Sequence, residues 1–313
     1  MTCFYPLKVA RLYDPDSHTY SISYSTKDLD HPDCVGYLRK ACGQCIGCRI
    51  EKSRQWAMRC VKELGPNGEG AFLTLTYNNE NLPADGSLQK KYFRGWMKRL
   101  RERIRYHYGK TIRYFCCGEY GEKLGRPHYH AVIFGFDFPD KQLRSVSRGN
   151  KLYTSKFLDK AWKKGFHLIG NVTFHSCQYV AQYVNKKVIS RNSQKVKDYY
   201  QNKEIEFHTQ STRPGLGFDH WDEFYTDIYP SDRFVHMGKE MKPPKYYDYL
   251  LKKHHPELWK QVVEKRIESY ENSDWATMND ADLEVELRRK ERFLHRAHER
   301  TYHRLLDKEL ANA

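Results

Sequence analysis

The sequence predicts an α+β fold in which an antiparallel sheet is packed against helices. Short segments rich in β-branched and aromatic residues alternate with segments whose apolar residues recur at helical spacing. Between residues 71 and 189 these segments follow the order β-α-β-β-α-β-α. One strand of the series carries two histidines, and the last helix carries two tyrosines. A cysteine-rich region precedes this core, and a charged helical extension follows it.

The first strand is predicted over 71–77, and the polar stretch 78–87 is a loop. The clearest helix of the chain follows over 88–108, and Gly109 is placed to end it. Its apolar side repeats every 3.6 residues and consists of Phe93, Trp96, Met97, Leu100 and Ile104. Its other side is basic and carries Arg94, Lys98, Arg99, Arg101 and Arg105. This helix is therefore expected to pack on the sheet.

Two strands come next, one over 111–117 and one that begins at the histidines, and the loop 118–127 joins them as a hairpin. A helix is predicted over 152–164, a strand over 166–174 and a second helix over about 176–189. This order matches the ferredoxin-like plan, a sheet covered by helices on one face.

Three regions are predicted along the chain. Residues 1–65 form a Cys-rich N-terminal region, which includes the alternating stretch 20–24 and a helix that contains 50–60. Residues 66–190 form the core, and residues 191–313 form an accessory region. The accessory region ends in a charged helix over 282–310, where Glu284 and Arg288 are one turn apart.

Charge and composition indicate a polyanionic partner. The chain of 313 residues carries 54 Lys and Arg against 39 Asp and Glu, a formal net charge of +15. Charge alone does not separate nucleic acid from a membrane surface, but the 24 tyrosines favour single-stranded nucleic acid, whose bases stack on rings. No run of about 18 apolar residues and no signal-peptide pattern occurs. We therefore expect a cytoplasmic protein that does not bind a membrane.

The pair His128 and His130 is the most informative feature of the sequence. Residues two apart on a strand share one face, so both imidazoles are expected to project together while Tyr129 points away. Two convergent imidazoles are the beginning of a metal site. An exposed strand can also carry this pattern by chance, so the pair gains its meaning from the segment about fifty residues downstream.

That downstream segment, 178–187, carries Tyr179 and Tyr183 four residues apart, which places them on one side of a helix with Lys186. A phenolic oxygen can attack a phosphate, and a nearby ammonium steadies the anion that forms. The alternative is a pair of tyrosines that only pack over the domain with their hydroxyls in water.

Taken together, the two segments resemble motifs two and three of the HUH endonucleases, the superfamily of rolling-circle replication initiators and relaxases. The stretch 71–77 resembles motif one, a strand with a mainly structural role. The family core is ferredoxin-like or RRM-like. Further similarity, over Cys42–Arg49, Arg213–Gly217 and Trp221, narrows the resemblance to the initiators of small icosahedral single-stranded DNA phages, the gokushovirus branch of the microviruses. It covers about residues 42–266.

The resemblance implies a divalent metal on His128 and His130, with an acidic or amide residue of the neighbouring strand as third ligand. Glu119 is the best candidate because it lies where that strand ends, and Glu122 is the second. Imidazole ligands alone would favour Zn²⁺, but the resemblance and the phosphate chemistry favour Mg²⁺ or Mn²⁺.

The implied reaction is transesterification at a phage origin. Tyr179 or Tyr183 attacks the phosphodiester and leaves a 5′-phosphotyrosine and a free 3′-hydroxyl, while Lys186 or Lys187 favours the phenolate. Host polymerase and helicase would extend the 3′-end, and the displaced strand would be rejoined into a circle. The expected partners are therefore single-stranded DNA and the double-stranded replicative form.

The run Cys42, Cys45 and Cys48 has the spacing of a structural zinc site, for which Cys34 and Cys60 are candidates as fourth ligand. The alternative is a set of reduced thiols at the start of a helix. Two other functions remain open on sequence grounds: a non-enzymatic, zinc-stabilised DNA-binding protein, and a metal-dependent hydrolase or oxygenase built on two histidines and a carboxylate.

Overall fold

The computed structural model describes residues 3–16, 19–65, 68–121, 124–147, 149–183, 200, 203–236, 238–273 and 277–310. The chain divides into two compact units. The terminal unit comprises Met1–Glu51 and Glu264–Ala313, and the central unit comprises Lys52–Val263. The division into three regions made from the sequence stays a prediction.

The elements are given in chain order. The chain begins with β1 (Leu7–Asp14), β2 (Thr19–Ser23), a 3₁₀ turn (Thr26–Asp30), β3 (Cys34–Lys40) and α1 (Ile46–Leu64). It continues with β4 (Gly70–Tyr77), α2 (Lys90–Tyr108), β5 (Arg113–Tyr120), β6 (Pro127–Phe134), β7 (Lys141–Ser147), β8 (Asn150–Ser155), α3 (Lys156–Ala161), β9 (Gly165–Gly170) and α4 (Phe174–Tyr183). It ends with β10 (Phe207–Gln210), α5 (Phe218–Ile228), β11 (Phe234–His236), β12 (Lys239–Met241), α6 (Lys245–His254), α7 (Pro256–Glu271) and α8 (Asp280–Leu310).

The central unit is built on a seven-stranded sheet with the strand order β10-β5-β6-β4-β9-β8-β7. Every neighbouring pair in this sheet is antiparallel. The terminal unit contains a smaller antiparallel sheet with the order β2-β1-β3. The α+β class predicted from the sequence is therefore confirmed.

Helices cover both faces of the large sheet. On one face, α2 and α3 pack on the alternate residues of β4, β5 and β6 that include Leu73, Cys116 and Ala131. On the opposite face, α1 and α4 pack on the other set of residues, which includes Cys117 and Val132. The prediction of helices on one face only is wrong, because α1 also buries an apolar side against this sheet.

Helix α2 confirms its prediction closely. Its five predicted apolar residues are all buried, and Gly109 ends the helix in the left-handed conformation with φ 67°. In contrast, the helix predicted over 152–164 is wrong. Residues up to Ser155 form β8, which pairs with β7 and β9, and only Lys156–Ala161 are helical. The helix starts where the Ser155 hydroxyl accepts a hydrogen bond from the Leu158 amide at 3.1 Å.

The predicted C-terminal helix is confirmed as α8, which begins two residues earlier than expected. Among the residues that the structure describes, no helix combines the length and the apolar character needed to cross a membrane.

Candidate active site

The register of β5 and β6 brings three candidate ligands to one face of the sheet. Glu119 lies opposite His128, and Cys117 lies opposite His130. Cross-strand partners share a face, as do residues two apart on one strand. Glu119, His128 and His130 therefore project together, on the face that α1 and α4 cover.

One carboxylate oxygen joins the two imidazoles. Oε1 of Glu119 lies 2.7 Å from Nε2 of His128 and 2.9 Å from Nε2 of His130. The ligand atoms of these three residues all lie within 4.8 Å of one another. Glu119 and His130 are buried and His128 is partly exposed, so the cluster reaches solvent on the His128 side.

The outer nitrogen of each ring also has a partner. Nδ1 of His128 lies 3.1 Å from the carbonyl oxygen of Arg126. Because a carbonyl can only accept, this Nδ1 carries a proton, and Nε2 of the neutral ring presents its lone pair to the cluster. Nδ1 of His130 lies 3.1 Å from the hydroxyl of Thr74, its cross-strand neighbour on β4.

Burial and pairing oppose each other in the charges of the cluster. Burial disfavours the carboxylate of Glu119, but hydrogen bonds from the two histidines outweigh it and lower the Glu119 pKa. Burial also disfavours charge on His128, yet Glu119 and the Arg126 carbonyl raise the pKa of His128. For His130 burial dominates, and its pKa is lowered despite Glu119. The cluster thus combines an anionic oxygen with imidazole lone pairs, the donor set of a divalent metal.

Helix α4 holds Tyr179 against this cluster. Val180 and Ala181 are buried in the apolar core on the same face of the sheet, which anchors the helix there. The ring of Tyr179 meets that of His130 edge to face, with centroids 5.2 Å apart, and it also meets Phe72 at 6.3 Å. About 40% of Tyr179 is exposed, so solvent reaches this side chain at the edge of the site.

Some predicted site residues fall outside the description. Tyr183 ends the described part of α4, and its side chain lies outside the described residues. Glu122, Lys186 and Lys187 lie outside them altogether. Their predicted roles stay predictions.

The terminal unit contains a second cluster of possible ligands. The three predicted cysteines Cys42, Cys45 and Cys48 lie together, and the fourth member is Cys3. The candidates named from the sequence were wrong. Cys34 donates its thiol to the Gly36 carbonyl, and Cys60 is buried against Cys177 of the central unit.

Sequence reasoning missed Thr74 as well as Cys3. A signal for Thr74 was present, because the alternation of Leu73, Thr74, Leu75 and Thr76 in motif one puts the two threonines on the face opposite the core leucines. That face is the one the histidines share. No comparable signal marked Cys3, since 38 residues separate it from Cys42 in the chain.

Comparisons with known proteins agree with this site. The family model of the replication-associated protein ORF2 matches residues 70–188, a range that contains the Glu119–His128–His130 cluster and Tyr179. Replication-associated protein VP4 of Bdellovibrio phage phiMH2K is 33% identical over 288 residues, 90% of this chain and 87% of its own.

Two further relatives carry similar names. Replication-associated protein ORF2 of Spiroplasma virus 4 is 32% identical over 266 residues, 79% of each chain. Replication-associated protein ORF4 of Chlamydia phage 1 is 31% identical over 243 residues, 74% of this chain and 59% of its own. No solved structure gives a significant match.

Proposed function

The chain belongs to the family of microvirus-type phage replication-associated proteins, and we propose that it initiates replication by nicking one DNA strand with a tyrosine. In this proposal the protein is a metal-dependent, site-specific endonuclease and strand transferase of the two-tyrosine HUH type. Its substrates are single-stranded DNA and the double-stranded replicative form at the phage origin.

One observation carries the proposal: the Tyr179 ring lies against His130, 5.2 Å between centroids, at the edge of a buried cluster of two imidazoles and a carboxylate. A nucleophile for phosphoryl transfer and a site able to hold a cation must lie this close, because both act on one phosphate. A tyrosine that only packed over the domain would have no need of that cluster.

The order of the central strands supports a ferredoxin-like HUH core. Counted from β4, the chain runs through α2, β5, β6, α3 and β9, with β7 and β8 inserted before α3. The four strands lie side by side in the order β5-β6-β4-β9. This is the arrangement of a split β-α-β pair.

The cluster fits a resident divalent metal, held by Glu119, His128 and His130. Their ligand atoms converge, and Arg126 and Thr74 engage the outer nitrogens as partners of ligating histidines commonly are. Mg²⁺ or Mn²⁺ bound there would supply a positive charge for a phosphate oxygen and help to orient the strand.

The proposed covalent step exchanges one ester for another. The phenolic oxygen of Tyr179 forms a bond to phosphorus as the bond from phosphorus to the 3′-oxygen breaks. The phenol loses its proton, and the departing oxygen gains one to become a 3′-hydroxyl. The protein is left with a 5′-phosphotyrosine linkage. No water is consumed, so the same step can run in reverse and rejoin the strand.

A second tyrosine would complete the cycle. Tyr183, four residues after Tyr179, would cut the regenerated origin, and the freed 3′-hydroxyl would then attack the first linkage and close a circle. Lys186 and Lys187 would favour the phenolate by their charge. Host helicase and polymerase would act on the 3′-end between the two cuts, in the host cytoplasm.

An adduct assay tests the proposal. The protein is incubated with Mn²⁺ and an oligonucleotide that contains the phage origin, and the products are separated under denaturing conditions. We expect a protein–DNA adduct whose rate of formation falls at least about 100-fold in Tyr179→Phe or in Tyr179→Phe/Tyr183→Phe, because the nucleophile is missing. The matched control is Tyr106→Phe, since Tyr106 is an exposed tyrosine of α2 in the same unit.

Two results would overturn the proposal. Cleavage without any covalent adduct would indicate a hydrolase, and binding without cleavage would indicate a DNA-binding protein with no enzymatic role. Peptide mapping of the labelled adduct identifies which tyrosine is linked.

A further inference from the structure

Four cysteine sulfurs meet in the terminal unit, although the sequence brings only three of them together. Sγ of Cys42 lies 4.0 Å from Sγ of Cys48, and Sγ of Cys45 lies 3.9 Å from Sγ of Cys3. All four sulfur atoms lie within 4.8 Å of one another. We infer that they bind a structural Zn²⁺ ion through four thiolates.

The spacing of the sulfurs agrees with this coordination. In tetrahedral zinc sites the Zn–S distance is about 2.3 Å, and the edge of such a tetrahedron is therefore about 3.8 Å. The two measured separations, 3.9 and 4.0 Å, are close to that edge. A disulfide needs sulfurs about 2.0 Å apart, so pairing these cysteines would require each pair to move together by nearly half its separation.

Backbone amides point at the sulfurs as well. The amide of Cys42 donates to Cys3 Sγ at 3.2 Å, and that of Phe4 donates to Cys45 Sγ at 3.4 Å. The amides of Gln44 and Cys45 both donate to Cys42 Sγ, at 3.5 and 3.3 Å. Hydrogen bonds of this kind steady the negative charge that a metal-bound thiolate carries.

The turn between the first two cysteines is shaped for the same purpose. Gly43 has φ 75°, a conformation that residues with a side chain rarely adopt. This turn lets two amide groups face one sulfur before the chain enters α1. Cys48 then lies inside the first turns of that helix. The N-terminal segment supplies the last sulfur through Cys3.

The terminal unit has a reason to need such a site. The buried apolar cluster described in this unit consists of Phe4, Leu283 and Leu287. Phe4 follows Cys3 directly and packs on α8, so a metal at the cysteines would fix the N-terminal segment, the start of α1 and α8 together. Small cores are commonly stapled by a metal, whose binding energy is then folding energy.

Metal analysis of the full-length protein tests this site. Elemental analysis after purification without chelators should find about one zinc per chain. Cys3→Ser should lower the zinc content or the zinc affinity at least about 10-fold, because one of four thiolates is lost. Cys34→Ser is the matched control, since Cys34 is a thiol of the same unit outside the cluster, and it should keep the zinc.

A second variant keeps the test decisive if Cys3→Ser does not fold. Cys3→His retains a zinc ligand, so the protein should still bind metal. After exchange with Co²⁺, the sulfur-to-cobalt charge-transfer absorption should fall by about a quarter, from four sulfur ligands to three. An unchanged spectrum in Cys3→His, iron in place of zinc, or no bound metal in the wild type would each overturn the inference. The outcome is independent of nicking, whose proposed residues lie in the central unit.

Discussion

Glu119 is the residue on which the candidate active site depends. Its Oε1 atom accepts from both histidines at 2.7 and 2.9 Å, so one oxygen sets the separation of the two rings. The residue is almost fully buried, and its pKa is nevertheless lowered, because the two hydrogen bonds outweigh the penalty of burial. Glu119 is thus an anion held in a dry site, ready to share its charge with a cation.

Replacing Glu119 by Gln should leave the shape of the site and remove its charge. We expect Glu119→Gln to lower Mn²⁺ affinity and to slow adduct formation by about 100-fold or more, because an amide is a weaker metal ligand than a carboxylate. Calorimetric titration with Mn²⁺ and the adduct assay measure the two effects. Glu102→Gln, an exposed glutamate of α2, serves as the control. Wild-type rates in Glu119→Gln would show that the carboxylate is not a ligand.

At the scale of elements, the join between β4 and β9 decides where the sheet widens. Gly165 lies opposite Tyr77 at the first position of β9, with φ 154°. A side chain at Gly165 would collide with the backbone of Thr76 and Asn78. The close approach of the two backbones at this point is therefore possible only with glycine. It fixes the register in which Thr74 and Thr76 line the face of the histidines.

We expect Gly165→Ala to lower the free energy of unfolding by about 3 kcal/mol or more, from the collision together with the unfavourable φ. Denaturant titration followed by circular dichroism measures this change. Gly170→Ala is the matched control, because a side chain at Gly170, the other end of β9, would meet Phe72 and Leu152 only at ordinary contact distances. A loss of stability equal in the two variants would mean that strand flexibility, and not the close approach, requires the glycine at 165.

For the whole molecule, the excess of positive charge is the main feature. The formal net charge is +15. The five basic residues predicted on α2 are all exposed, and this helix covers the face of the sheet opposite the histidines. Positive charge is therefore not confined to the face of the candidate active site. Such a distribution attracts a polyanion from several directions before any specific contact forms.

Binding of single-stranded DNA should accordingly weaken steeply with salt. For single strands the slope is about −0.7 per neutralised phosphate, so roughly five phosphate contacts predict a loss of about 100-fold between about 50 and 200 mM salt. Fluorescence anisotropy with the Tyr179→Phe variant measures binding without cleavage. A titration with sucrose instead of salt controls for the change in solution density and water activity. An affinity that does not respond to salt would contradict binding through phosphates.

Local periodicity explains how much of this protein could be predicted from its sequence. The alternation along β6 puts His128 and His130 on one face, the 3.6-residue spacing marks the buried side of α2, and the hairpin after β5 brings Glu119 next to His128. Each of these features depends on residues close together in the chain. Backbone geometry alone sets their relative directions.

Only the tertiary structure decided the features that join distant segments. It placed Cys3 with the cysteine run, put Thr74 behind His130 and made residues 150–155 a strand between β7 and β9. Side chains far apart in sequence meet because packing and backbone hydrogen bonding bring their elements together, and no local spacing encodes that. The sequence by itself therefore determined the chemistry available on each strand and helix, while the packing of those elements decided which groups act together.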